Sequence, residues 1–336
     1  MPEIVDQILS QLRDRAEKLY PERGEFRAIR LVGHTPKSDH FIYDAVMEFA
    51  AGAERISCKV YRSKNNSQSA RTIAKNEFDN LSYVHETFAK RKLSGVPRPL
   101  GDFSEFGAVV SEKITGLPLQ SIIMKAALLP GYADRAGLAR AASSAGEWLH
   151  NFHKSTAQRT VAIDAARQIS ELESLCVSCK SEGLEDRDIQ MILTGAKHML
   201  AKVKKSVSVS AVLNDFTPLN VSVTDEGVAM CDFEKMSKSG LALEDVAHFM
   251  ACIEALEKYP FCNREITSDI QEMFLNAYGV SPSERALVRV LKMKSLLAMF
   301  AAGRNTRDTA LRKRVMWANV MKRFIHQAAN RTLNAA

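Results

Sequence analysis

No stretch of these 336 residues approaches the roughly 20 apolar residues needed to cross a bilayer, which leaves no helical membrane span to expect. The opening residues, MPEIVDQILSQLRDRAEKLY, are charged throughout and lack the apolar core and small-residue cleavage site of a secretory leader. The expected location is therefore cytoplasmic. Cysteines are few and scattered: Cys58, Cys176, Cys179, Cys231, Cys252 and Cys262. Cys176 and Cys179 form a C-x-x-C, but no second pair stands at zinc-site spacing and both fall on one face of a helical stretch. They read as plain helix residues, and nothing demands a disulfide framework. Internal repeats and low-complexity tracts are missing too. Acid is scarce near the C-terminus, where twelve basic residues from Arg285 to Arg331 face one acid, Asp308. The net charge of +7 thus belongs to that segment, and no specific nucleic-acid recognition module is visible in the sequence.

What is present is a globular composition. An apolar fraction of 46% against 25% charged residues supplies a core and makes disorder the wrong expectation. Residues 1–20 space Ile4, Ile8, Leu9, Leu12, Ala16 and Leu19 as one helical face. Strand-like runs follow at Arg27–Val32, Phe41–Phe49 and Arg55–Tyr61, with a turn-rich loop from Gly33 to His40 and a tight turn at Gly52. Ser69 to Lys92 is helical in period, and short strands are expected around Gly101–Phe103 and Ala108–Lys113. After the break at Gly116-Leu117-Pro118 helices dominate, at Arg135–His153 and Ile163–Leu200, interrupted near Gly183. A β-like patch spans Ser208–Val223 and Val228–Phe233. Strands in the first third and helices thereafter give an α+β arrangement of two lobes, 1–114 and 115–336.

The chemistry lies in Leu213-Asn214-Asp215-Phe216-Thr217-Pro218-Leu219-Asn220 and, after a hairpin turned at Asp225-Glu226-Gly227, in Cys231-Asp232-Phe233-Glu234. A loop Asp, an Asn five residues on and an Asp twelve beyond that resemble the active-site loop of small-molecule phosphotransferases, whose reaction needs positioned reactants and cations more than covalent help. The resemblance implies Asp215 as the group that takes or orients a hydroxyl proton, and Asp232 and Asn220 as the oxygen ligands that magnesium prefers. Upstream, Lys59 is a charge inside an apolar strand, costly unless paired. Glu77, eighteen residues later on the next helix, is a partner within reach. The plainer readings are a turn-capping Asp215, a strand-ending Asp232, an edge-strand Lys59 facing water, and a solvated Glu77, since Glu86 is also available.

D-x-x-P-x-N followed by D-F-E resembles the aminoglycoside phosphotransferase family and its choline and sugar kinase relatives, whose signature is H-G-D-x-x-P-x-N, a short strand pair and D-[WF]-E. The likeness spans about residues 27 to 250. It implies a bilobal protein-kinase-like fold with a small antiparallel-sheet N-lobe and a larger, mainly helical C-lobe. It also implies ATP and Mg2+ as cofactors, a Lys59–Glu77 pair gripping the α- and β-phosphates, and adenine held by the backbone C=O of Glu112 and N–H of Ile114. The family's His-Gly before the catalytic Asp is here Leu213-Asn214, and the segment from Gly33 to His40 has one glycine where protein kinases have a glycine-rich loop. Asp245, at the expected start of a helix, reads as a structural acceptor of backbone N–H bonds.

The expected activity is phosphorylation of a small-molecule hydroxyl, on a sugar, glycolipid or related metabolite more than on a polycationic aminoglycoside. The alternative is a catalytically weak pseudokinase acting as a nucleotide-binding interaction module. A protein kinase is disfavoured, since no Ala-Pro-Glu follows Asp232. The basic tail, interleaved with Leu287, Val290, Leu291, Leu296, Leu297 and then Val315, Trp317, Val320, Met321 and Phe324, reads as two amphipathic helices. These either pack on the core with solvated basic faces or draw an anionic or membrane-associated acceptor.

Overall fold

The computed structural model describes residues 2–62, 67–129, 131, 134–181, 183–203, 206–259, 261–302 and 323–331. Two compact units emerge: Met1–Gly116 together with Ala229–Met236, and Leu117–Val228 together with Ser237–Ala336. The division falls beside the Gly116-Leu117-Pro118 break, but an eight-residue return to the first unit has no local signal in the sequence, because long-range packing defines it.

The first unit begins with α1 (Pro2–Leu19), then β1 (Phe26–Pro36), β2 (His40–Phe49), β3 (Gly52–Tyr61), α2 (Ser67–Lys90), β4 (Pro99–Phe103) and β5 (Ala108–Glu112). The strands form one antiparallel sheet in the order β1-β2-β3-β5-β4. Alternation decides its faces. Tyr43, Ala45, Met47 and Phe49 of β2, with Ile56, Cys58 and Val60 of β3, are buried in one core with Val5, Ile8, Leu12 and Ala16 of α1. The opposite face of β3 therefore carries Lys59 and Tyr61. The segment expected as a loop from Gly33 to His40 is mostly strand: β1 pairs with β2 out to Pro36 against Phe41, and only 37–39 turn. Pro36 is tolerated because β1 is an edge strand, where a missing N–H breaks no interior ladder.

The second unit contains β6 (Leu117–Pro118), α3 (Leu119–Leu128), α4 (Arg135–Ser155), β7 (Arg159–Val161), α5 (Ala165–Lys180), α6 (Asp186–Ala201), β8 (Val207–Val212) and β9 (Val221–Thr224). β10 (Gly227–Met230) carries the chain into the eight returning residues, after which come β11 (Ser237–Leu241), α7 (Ala242–Glu254), α8 (Arg264–Tyr278) and α9 (Pro282–Ala302). Ten of the thirteen residues of α7 are buried, which makes it the central helix of this unit. Trp148, Phe152, Phe216, Phe249 and Phe274 stack around it with ring centroids 4.2–6.4 Å apart. α4 and α8 touch closely at Gly146, where a Cβ would stand 2.5 Å from the Phe274 carbonyl oxygen.

Much of the basic C-terminal segment, with Arg304, Arg307, Arg312, Lys313, Arg314, Val315, Trp317, Val320, Met321 and Lys322, lies outside the described residues. Within them, its cations meet internal carboxylates: Arg285 with Glu272, Lys292 with Glu254, Lys294 with Glu171, and Arg331 with Glu254 and Glu257. Leu287, Val290, Leu291, Leu296, Leu297 and Phe324 are all buried. These observations favour the core-packed reading for the described residues of this segment.

Candidate active site

In the first unit, Lys59 Nζ lies 3.1 Å from Glu77 Oε1, so the strand lysine and the helix glutamate do meet. Glu86 is not needed. The same ammonium is 3.3 Å from Asp232 Oδ2 and 3.6 Å from Glu234 Oε2. Burial opposes the Lys59 charge, but Glu77, Asp232 and Glu234 outweigh it and hold the ammonium above its ordinary range. Burial also pushes the Glu77 carboxyl up, against the pull of Lys59. Three carboxylates thus surround one ammonium.

Three members of the cluster escaped sequence reasoning. Tyr61 Oη is 2.5 Å from Glu77 Oε2 and 3.1 Å from Glu234 Oε2, and its phenol is raised by burial and then by Glu77. Asn80 donates from Nδ2 to the carbonyls of Phe233 and Met236 at 3.0 and 3.2 Å, fastening the returning segment to α2. Each stands two or three residues from an assigned group: Tyr61 after Lys59, Glu234 after Asp232, Asn80 after Glu77. Strand and helix periods place Tyr61 and Asn80 on the faces of Lys59 and Glu77, and Glu234 closes the D-F-E motif; those were the available signals. Asp232 Oδ1 accepts the Glu234 N–H at 3.1 Å, which fixes the carboxylate.

At the end of β5, Glu112 pairs with Arg98 at 2.9 Å. The Glu112 carbonyl accepts from Ser111 Oγ at 3.2 Å and has a second lone pair to offer. The Ile114 N–H has no partner among the described residues.

In the second unit, Asp215 is held between two buried residues, Leu213 and Phe216, while remaining partly exposed itself. Phe216 is locked in the aromatic stack with Trp148 and Phe249. Leu213 is placed by its backbone: its N–H donates to Asp245 Oδ2 at 2.7 Å, and the Asn214 N–H donates to Oδ1 at 2.8 Å. Asn214 has φ of 59°, the left-handed conformation that Asn tolerates better than most residues. Asp245 does not cap its own helix, as its position suggested, but receives the loop. Its carboxylate is held by His153 Nε2 at 3.1 Å, and His153 Nδ1 meets Tyr278 Oη at 2.9 Å. Asn220 donates from Nδ2 to the Asp215 carbonyl at 3.1 Å, which directs its Oδ1 elsewhere.

A cavity of about 300 Å³ adjoins the loop, lined by Asn214, Glu244, Asp245, His248, Lys294 and Ser295. Burial raises the Glu244 carboxyl. Lys294 is committed to Gln168 and Glu171 at 3.0 and 2.5 Å. Among the described residues no three His, Cys, Asp or Glu side chains form a metal-holding group, and no helix is long and apolar enough to cross a membrane.

The chain has the α+β, protein-kinase-like fold of the aminoglycoside phosphotransferase and choline kinase group. The particular likenesses are distant ones. A choline/ethanolamine kinase family protein from Mesorhizobium loti matches with a TM-score of 0.54 at 16% identity, over 97% of this chain and 98% of its own. A glucosamine kinase in complex with glucosamine, ADP and inorganic phosphate matches at 0.52 and 13%, over 93% and 96%. An ADP-bound aminoglycoside phosphotransferase matches at 0.51 and 12%, over 94% and 98%. No protein-family model and no curated protein matches the sequence.

Proposed function

We propose that this protein is an ATP- and magnesium-dependent phosphotransferase that acts on a hydroxyl of a small molecule. The observation that carries the reading is the Lys59–Glu77–Asp232 cluster: a buried ammonium braced by a helix glutamate and set beside the aspartate of D-F-E. In this reading Lys59 grips the α- and β-phosphates, with Glu77 and Tyr61 orienting it, and the Glu112 C=O and Ile114 N–H receive adenine. Asp232 and Asn220 supply oxygen ligands of the kind a hard cation takes, and few protein ligands suffice because magnesium keeps waters and phosphate oxygens. The ion, when bound, neutralises charge developing on the transferred phosphoryl group. Asp215 accepts the proton of the attacking hydroxyl.

The acceptor is a neutral, hydroxyl-rich molecule such as a sugar more than a polycation, since the acids beside the Asp215 loop are few: Asp245 is engaged by backbone N–H groups, and Glu244 stands near Lys294. The bracing of the Asp215 loop from Asp245 supports a working enzyme over a nucleotide-binding interaction module, because it supplies what the missing histidine would.

The test is ATP hydrolysis in magnesium, with water standing in for the acceptor, followed by a broad panel of hydroxylated metabolites. Turnover in the wild type and none in Asp232→Ala is the expected result. Nucleotide binding without turnover on any acceptor would replace this reading with the pseudokinase one.

A further inference from the structure

The hairpin between β1 and β2 has no glycine at its tip, where Pro36-Lys37-Ser38-Asp39-His40 stand. Backbone amides freed by glycines are thus not what this hairpin offers a phosphate. It offers a side chain. His40 pairs with Tyr61 across the β2–β3 ladder, and Ile42 pairs with Lys59, so His40, Lys59 and Tyr61 share one face of the sheet. The His40 ring lies 5.8 Å from the Tyr61 ring, and Lys59 Nζ stands 4.9 Å from the centre of that same ring. His40 Nδ1 is 2.9 Å from Asp39 Oδ1. An ionised carboxylate only accepts, so Nδ1 is the donor and the ring is oriented with Nε2 at its far end. Nε2 has no hydrogen-bond partner among the described residues, although the side chain is only 12% exposed.

We infer that His40 is a nucleotide-phosphate contact, aimed by Asp39, that stands in for the glycine-rich turn of the protein kinases. The inference rests on the nucleotide reading of the Lys59 cluster. The charged groups that act on the ring are Asp39 beside it, Lys59 on β3 and Asp232 on the returning segment. Burial and Lys59 lower the affinity of the ring for a proton while Asp39 and Asp232 pull the other way; when a phosphate oxygen arrives, Nε2 takes up one proton from solvent and donates it in a hydrogen bond to that oxygen. Asp39 acts through His40 and is a positioning residue.

Titration calorimetry with AMP, ADP and ATP in magnesium separates this role from a structural one. His40→Ala should weaken ATP by roughly ten- to a hundred-fold, the worth of a hydrogen bond to a charged group, while AMP binding stays as it was. His40→Gln, which keeps a donor, should recover part of the loss, and Asp39→Asn should show a smaller one. Lys59→Met is the comparator. If Lys59→Met loses ATP and His40→Ala does not, the His40 assignment is wrong and the nucleotide reading stands. Equal losses for AMP and ATP in His40→Ala would also overturn it, by making the residue structural. A wild type that does not prefer ATP to AMP would remove both.

Discussion

His153 Nε2 lies 3.1 Å from Asp245 Oδ2, and both side chains are buried. This contact closes a chain that begins at the Tyr278 hydroxyl and ends at the N–H groups of Leu213 and Asn214. Helices α4, α7 and α8 thereby hold the two residues that precede Asp215. Where the family signature has a histidine in the loop itself, this chain braces the loop from below and leaves Leu213 free to fill core.

Removing that brace has a calculable cost. Asp245→Ala strands the buried Leu213 N–H, worth about 1–3 kcal/mol when left unsatisfied in the interior, and takes a partner from the more exposed Asn214 N–H. Chemical denaturation should show a stability loss of that order, with Asp245→Asn losing less because its amide oxygen still accepts one bond. Wild-type stability in Asp245→Ala would mean that water reaches the Leu213 N–H.

Gly146 sets how closely α4 and α8 approach. Alanine is intrinsically better in a helix by about 1 kcal/mol. Here its Cβ would meet the Phe274 carbonyl at 2.5 Å and the Tyr278 nitrogen at 3.0 Å, both backbone atoms. Gly146→Ala should therefore lower the melting temperature despite the better propensity, at an overpacking cost of about 1–3 kcal/mol. A rise in melting temperature would show that the two helices part without penalty.

Asp215→Asn should leave ATP affinity nearly intact and cut turnover by roughly two to four orders of magnitude, as expected for a lost general base. Steady-state rates beside direct binding measurements make the comparison. Unchanged turnover would remove Asp215 from the mechanism.

Cys231 is exposed beside Asp232, whereas burial pushes the thiols of Cys58, Cys176 and Cys252 up to about 12. The thiolate is the reacting form, so iodoacetamide should label Cys231 first. Magnesium and ATP should slow that labelling. Peptide mapping that finds Cys58 or Cys176 modified before Cys231 would contradict the burial seen here.

The sequence disclosed the pairs whose logic is local or costly. A lysine in an apolar strand demands a carboxylate, and Glu77 is the one that α2 delivers. The D-x-x-P-x-N and D-F-E spacing marked Asp215, Asn220 and Asp232. Tyr61 and Asn80 share an element face with Lys59 and Glu77, and Glu234 ends D-F-E, but what they bind went unread because those partners lie up to 173 residues away. Asp245 was visible as an acceptor of backbone N–H groups, but a helix-start position points to the wrong ones. His40 was lost in a segment read as loop, since strand pairing through Pro36 depends on an edge position that sequence does not reveal.

The eight residues Ala229–Met236 complete the first unit, though they are made long after its other strands. Asn80 has no Phe233 or Met236 carbonyl to hold until they emerge, and Lys59 has only Glu77. During synthesis at about 5–20 residues per second, the ribosome must carry that unit unfinished for on the order of ten seconds. For that interval α2 presents an open seam, which makes the nascent chain a natural client for a chaperone. A fragment ending at the Gly116 break would keep the seam permanently.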